Sequence, residues 1–389
     1  MNSERFKMNR TFRSTRLAGL LRSFAPVVVA LSLSFSALNA ENAYWTQYGE
    51  NSVYVEQNNN GRKQTMKFLG YDNGMLVAEI EMKNPDGSTA VAEVSQPISD
   101  AMVQTLSLKL DKLTEVDRQL KANNLQGALT TMRPQVYPLV KFAEVPESFR
   151  QLHVPVQKLL NTLIRAQEYD EALDLLRRIP LDKVSVEYSG FALQLLHAYL
   201  AQEDYEVATE LANALPLSGA YSKNISPAMD VADKLRNAEK YEAVIPLYMS
   251  IRDVVPASGK ANINMWLAYS LVLANRLSEA VPIIDTLEEP EPQERLFSLY
   301  KLLEGSLEYR KENYSDALDT LTRGFVRAQT SYSWVPEMLY LVGDCYNRSG
   351  EAEAARNVWT EISILYPDSP WAPRANAALA KLPTAPAAE

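Results

Sequence analysis

Two hydrophobic periods divide the chain. From Asn51 to Ser95 apolar and polar residues alternate in four runs, "SVYVEQ", "KQTMKFLGY", "MLVAEIEMK" and "STAVAEVS". Alternation puts every second side chain on one face, so each run predicts a half-buried strand. The joining segments are "NNNG", "DNG" and "NPDG"; Asn-Gly and Asp-Gly accept the positive φ that tight hairpins require. The expected element is a small antiparallel β module over residues 41–98. Four short strands bury little alone, so the module should curl into a small barrel or lean on the first helix. Beyond Pro97 the apolar spacing lengthens to three and four. In "SDAMVQTLSLKLDKLTEVDRQLKANN", Met102, Leu106, Leu110 and Leu113 predict a helix with Ser99 or Asp100 as its N-cap. From there to Leu382 the pattern is helix and short turn.

One phrase recurs within the helical part: "NNLQGALTTM", "QEYDEALDLL", "EDYEVATEL", "EKYEAVIPLY", "NRLSEAVPII", "ENYSDALDTL" and "GEAEAARNVW". Its anchors are Ala128, Ala172, Ala208, Val244, Ala280, Ala317 and Ala355. The first interval is 44 residues and the later ones are 36, 36, 36, 37 and 38. A sustained period of this length marks an array of helix pairs, because a single pair cannot bury both its faces and stacking supplies the missing cover. The last copy also places Gly343 and Tyr346 before the anchor and Pro367 after it. The copies before it have Gly305, Ala268 and Ala232 at the first of these places, and Pro292 and Pro256 at helix ends. A glycine or alanine there lets two helix backbones approach.

These residues resemble the tetratricopeptide repeat pattern, over roughly residues 113–382. The early tryptophan of that pattern is absent, and the copies at Ala172 and Ala208 lack the small residue before the anchor. The resemblance implies a mainly α fold, a right-handed α-solenoid of helix hairpins over residues 99–382, preceded by the β module. It also implies a concave groove lined by the first helix of each pair. Carried onto the last four copies, the groove positions are Asp233, Arg236, Asn237, Tyr269, Ser306, Tyr309, Arg310, Tyr340, Asp344, Asn347 and Arg348. Arginines and tyrosines on one face could grip an extended peptide by stacking and carboxylate pairing. In the β module, "RKQTMKFLGYDNGMLVAEI" resembles the strand-turn-strand of SH3-like or Sm-like barrels. Tyr44, Trp45, Tyr48, Tyr54 and Tyr71 could present rings to a glycan or peptide, or fill a thin core.

The N-terminus changes the picture of where this array works. A basic stretch, "MNSERFKMNRTFRSTRLAGLLR", precedes the apolar "SFAPVVVALSLSFSALNA". That order predicts a secretory signal peptide over residues 1–40. The competing reading is an uncleaved anchor, but the apolar run from Ser23 to Leu38 is 16 residues, shorter than the roughly 20 that span a bilayer. Six of the 39 Lys/Arg and one of the 48 Asp/Glu lie in this segment, so the remainder carries a net charge of about −14. Nucleic acid draws its affinity from Lys/Arg on phosphate, and anionic lipid is met by basic clusters; neither partner is expected. "KLPTAPAAE" at the C-terminus predicts a disordered tail from residue 383.

Candidate chemistry is sparse. The histidines, His153 and His197, lie in different copies, and the one cysteine, Cys345, stands beside a helix crossing. A single cysteine excludes an internal disulfide. There is no glycine-rich phosphate loop, "HExxH" or "GxSxG", so no catalytic, cofactor or metal site is expected. The expectation is a non-enzymatic, periplasmic or secreted scaffold, without a transmembrane segment once processed, holding other envelope proteins or peptides. The phrase "YPDSPWAPRANAAL" resembles the C-terminal copies of envelope repeat proteins. The alternative is a glycan- or peptidoglycan-binding protein that uses the β module, and an enzyme is a third.

Overall fold

The structure, a computed structural model, describes residues 43–59, 61–83 and 88–383. The expected signal peptide, the third hairpin turn and residues 384–389 of the expected tail lie outside them. The chain divides into two compact units, Met1–Pro180 and Leu181–Glu389.

The first unit opens with an antiparallel sheet: β1 (Val53–Asn59), β2 (Arg62–Asp72), β3 (Met75–Lys83) and β4 (Thr89–Pro97), with β5 (Leu106–Leu108) beside β1. The four alternating runs are thus strands. Asn73 and Gly74, in the turn joining β2 to β3, both have positive φ, 49° and 81°, as a two-residue hairpin turn demands. The period-two pattern buries Val53, Val55, Met66, Phe68, Leu76 and Ala78 on one face. The opposite face carries Tyr54, Glu56, Lys67 and Glu79, with Lys67 Nζ 3.0 Å from Glu79 Oε2. At Gly70 a bulge shifts the β2–β3 register.

The strand order is β4-β3-β2-β1-β5. On the apolar face Phe68 packs 5.8 Å from Phe142 and 6.3 Å from Phe149, ring centre to ring centre. One expectation is corrected here: the stretch after Pro97 is not one helix. It is a single turn, Asp100–Val103, capped by the Ser99 side chain, then strand β5, then α1 (Leu113–Lys121). Leu106 and Leu108 fit a strand as well as a helix, and pairing with Gln57 and Val55 decides it.

Among the described residues seven helix hairpins follow. They are α1 with α2 (Leu125–Val136), and α3 (Arg150–Arg165) with α4 (Tyr169–Arg177), in the first unit. In the second unit they are α5 (Val186–Ala201) with α6 (Tyr205–Ala214), α7 (Ile225–Asn237) with α8 (Tyr241–Val254), α9 (Ala257–Leu273) with α10 (Leu277–Ile284), α11 (Arg295–Arg310) with α12 (Tyr314–Arg327), and α13 (Val335–Arg348) with α14 (Ala352–Leu365). A last helix, α15 (Trp371–Leu379), closes the series.

The turn inside each hairpin explains the sequence period. Asn123, Gln167, Glu203, Glu239, Asn275, Glu312 and Gly350 all have positive φ, between 55° and 84°, and each stands five positions before an anchor. The next residue's N–H bonds the carbonyl five positions back, at 2.8–3.0 Å in all seven turns. That is the glycine-type C-cap of a helix, built six times without glycine. All seven anchors are 0% exposed, so the conserved spacing from turn to anchor delivers a side chain to the crossing each time. At the crossings a Cβ on Gly343 would lie 2.4 Å from Trp359 Nε1, and one on Gly305 2.5 Å from Leu321 Cγ. Both glycines are there because the partner helix occupies that space. The left-handed conformation costs a side chain roughly 1–2 kcal/mol, against less than 1 for the greater freedom of an unfolded glycine. Gln167→Gly and Glu312→Gly are therefore each expected to raise stability by about 0.5–1 kcal/mol, read as a higher urea midpoint. A fall in both would mean that the turns are held by their side chains.

Candidate functional site

The groove positions lie on α7, α9, α11 and α13, and the structure sorts them into three groups. The first is buried. Arg236, Tyr269 and Ser306 are 5%, 0% and 1% exposed, which corrects their expected place on an open groove. Arg236 lies 3.4 Å from the Trp266 ring centre and donates from Nη1 to Asp233 Oδ1 at 2.9 Å and to the Tyr248 hydroxyl at 3.2 Å. Trp266 meets Tyr269 and Trp334 edge to face at 5.8 and 6.0 Å, and Trp334 Nε1 donates to Ser298 Oγ at 3.1 Å. The Tyr269 hydroxyl donates to the buried carboxyl of Glu337 on α13. The physical reason is long-range: α9 reaches past its neighbour to α13, so aromatic side chains fill the inner face between them.

The second group is engaged with itself. The Tyr309 hydroxyl donates to Asp344, and Arg348 Nε donates to Asp344 Oδ2 at 2.7 Å and to the Tyr309 hydroxyl at 3.1 Å. Arg348 Nη1 also reaches the Tyr314 hydroxyl at 3.0 Å. The Asp344 hydrogen bond holds the Arg348 guanidinium above its ordinary value, and burial, then Asp344, raises the Tyr309 phenol. Arg310 is exposed and donates to the carbonyl of Leu273, the last residue of α9, at 3.2 Å. That is a cation on a helix C-terminus.

The third group lines a cavity of ≈ 290 Å³ between α13, α14 and α15. Tyr340, Asp344 and Asn347 come from α13 and Trp359 from α14, with Arg374 and Lys381 opposite. Tyr340 packs 6.0 Å from Trp359 and 5.2 Å from Trp371, and its carbonyl accepts from Trp359 Nε1 at 3.1 Å. Burial raises the Tyr340 phenol, so it stays a neutral hydrogen-bonding group. Arg374 lies 4.2 Å from the Trp371 ring centre and pairs with Glu239 Oε1 at 2.8 Å. The Asn347 amide and the Lys381 ammonium, both exposed, make no hydrogen bond or ion pair among the described residues. The cavity thus offers an aromatic wall and two uncommitted donors beside a fixed guanidinium. Asn237, on α7, is exposed.

Trp371, Arg374 and Lys381 were not among the groove positions because they follow the last anchor. Trp371 and Arg374, three positions apart, share one face of α15, and Lys381 lies two residues past its end; that spacing is a signal that could have found the first two. Burial pushes the Cys345 thiol up to about 12, and Cys345 is 0% exposed. His197 is exposed, whereas His153 is buried with Nε2 3.0 Å from the Val145 carbonyl. Among the described residues no group of His, Cys, Asp or Glu could hold a metal ion, and no helix is long and apolar enough to cross a membrane.

In the first unit, three of the five aromatic candidates pack inward. Tyr44, Trp45 and Tyr48 surround Tyr137 at 6.3–6.4 Å. Arg133 lies over Tyr44 at 4.2 Å and Arg178 over Trp45 at 4.3 Å. Beneath them Arg133 grips Glu171 with two bonds, of 2.9 and 2.7 Å, and the Tyr137 hydroxyl donates to the same carboxylate at 2.6 Å. Tyr54 remains half-exposed at a cavity of ≈ 330 Å³ that it shares with Thr65, Lys109, Asp111 and Gln135.

Comparison with protein-family models gave no match, and comparison with curated proteins gave none either.

Proposed function

We propose that this chain is a non-enzymatic scaffold of the tetratricopeptide type, exported to the bacterial periplasm or beyond, and that the cavity between α13 and α15 holds an extended segment of a partner protein. One observation carries the reading. At the end of a regular hairpin series, residues of α13, α14, α15 and the turn after α15 line a recess whose donors, Asn347 and Lys381, are uncommitted. Aromatic walls offer area, and a cation beside an amide suits a carboxylate-bearing peptide. The negative remainder of the chain and its signal-like N-terminus support an envelope setting over nucleic acid or lipid. Asn347→Ala combined with Lys381→Glu is expected to abolish partner recovery in a pull-down from envelope extract. Each lost charge-assisted bond is worth about 1.5–3 kcal/mol. Helix content should stay unchanged, since both side chains are exposed. Unchanged recovery by the folded variant would reject the site.

A second reading keeps the β module as a glycan binder. The half-exposed Tyr54 at the mouth of its cavity favours it. Loss of co-sedimentation with peptidoglycan in Tyr54→Ala, with the α13–α15 variant unaffected, would select it.

A further inference from the structure

The two edges of the sheet are treated differently. Strand β5 is three residues long, and its outward backbone is capped by one side chain: Gln151 accepts from the Leu108 N–H at 2.8 Å and donates to the Leu106 carbonyl at 3.2 Å. That amide stands in for a further strand. Strand β4 has nine residues, pairs with β3 in unbroken register from Thr89 to Pro97, and pairs with no other strand among the described residues. It contains no lysine or arginine, no bulge, and no proline before its last residue. Lysine, bulges and proline are among the devices by which exposed edges avoid pairing, and the one charge on β4 is Glu93.

The direction of the free groups follows from the ladder. The N–H of Ile98, just past β4, donates to the Gly74 carbonyl on the β3 side. Residues of the same parity along β4 therefore face β3. Val91, Glu93 and Ser95 turn their N–H and C=O groups away from the sheet. The side-chain chemistry beside these groups is acidic. Glu93 stands directly across from Glu79, and Glu81 across from Val91. Like charges in direct opposition disfavour a sheet. Lys67 pairs with Glu79 at 3.0 Å, but Glu81 and Glu93 have no cation among the described residues. Val91, between them on the same face, is 64% exposed.

We infer that β4 receives an extended segment of a partner protein as a sixth strand, one that alternates apolar residues with lysine or arginine and sets a cation across from Glu93. Main-chain bonds to Val91, Glu93 and Ser95 supply affinity, and the cation sets register and selects the partner. A second copy of this chain, annealing through its own β4, would bring Glu93 and Glu81 toward their counterparts and is disfavoured by the same charges. This surface shares no residue with the α13–α15 cavity, so either reading can fail without the other.

The probe is a blocked peptide of about nine residues alternating valine and lysine, about as long as β4. Its control alternates valine and glutamate. The expected results are saturable binding of the lysine peptide alone, with slowed hydrogen exchange confined to residues 89–97. Glu93→Lys should weaken that binding roughly tenfold or more and admit the glutamate peptide. Val91→Pro removes one outward donor while leaving the bonds to β3 in place, and should abolish binding of the lysine peptide. Equal binding of both peptides, no protection of residues 89–97, or wild-type affinity in Glu93→Lys would overturn the proposal. So would a dimer of the chain in light scattering that Val91→Pro dissolves, because the edge would then belong to a second copy.

Discussion

Glu171→Ala is expected to lower the stability of the first unit by about 3–5 kcal/mol, the cost of leaving one partner of a buried ion pair behind. Arg133 and Glu171 are 9% and 8% exposed at their side chains. Their two-bond contact is completed by the Tyr137 hydroxyl on the same carboxylate. Without Glu171, the guanidinium keeps its charge, since arginine does not deprotonate in proteins. The Tyr137 hydroxyl loses its acceptor at the same time. Trp45 reports the change: it packs against Tyr137 and Arg178, whereas the other four tryptophans lie in the second unit. A variant retaining Trp45 alone should show an early urea transition when Glu171 is absent. Replacing both members, Arg133→Met with Glu171→Leu, should recover most of the loss, because the desolvation of the pair disappears with it. An unmoved transition in Glu171→Ala would show that water reaches the pair.

Stability should also fall as pH rises from about 5 to 8, and Glu337 should be responsible. Burial raises its carboxyl from 4.5 to about 7, against the opposing pull of the Tyr269 hydrogen bond and of Arg236 and Arg374. Between those two values the native state holds a proton that the unfolded chain has released. Stability then declines with rising pH, by at most about 1.4 kcal/mol per unit. The contribution is fully present below the unfolded value and is lost above the folded one, a difference of roughly 2–3 kcal/mol across the window. Glu56, Glu279 and Glu308 are lowered by cationic or amide partners. Their contributions are lost only on acidification below the ordinary carboxylate range, so they do not mask the effect. Urea midpoints measured at about pH 5 and pH 8 should differ in the wild type and differ by less in Glu337→Gln, where Asp233, also raised by burial, still acts in the same direction. An identical slope in the variant would remove Glu337 from the account.

The hairpin series could be read from the sequence because local geometry repeats. One left-handed residue, five positions and one buried anchor recur seven times, and each step leaves its mark on residue choice. The four alternating strands were equally readable, since a face that is half buried imposes a period of two. Strand β5 was not: three residues are too few to establish a period, and Leu106 belongs to a helical spacing as readily as to a strand. The inner face divides along the same line. Tyr340, Asp344 and Asn347 follow from the hairpin register and do line the cavity. Arg236 and Tyr269 share that register yet are buried, because Tyr269 meets Glu337, 68 residues away, and no short-range pattern encodes such a contact. Arg374, on a helix beyond the last repeat, and Lys381, just past that helix, complete the cavity where the period no longer points.

The scaffold reading stands or falls on whether a partner segment enters the recess between α13 and α15. Site-specific photo-crosslinking in envelope extract tests this most directly, with the reactive side chain placed at Asn347 in one variant and at Arg323, an exposed position on α12, in another. The account predicts a discrete partner adduct from position 347 that is absent from position 323 and is suppressed by Lys381→Glu. The same adducts from both positions, or none from 347 in folded protein, would contradict it.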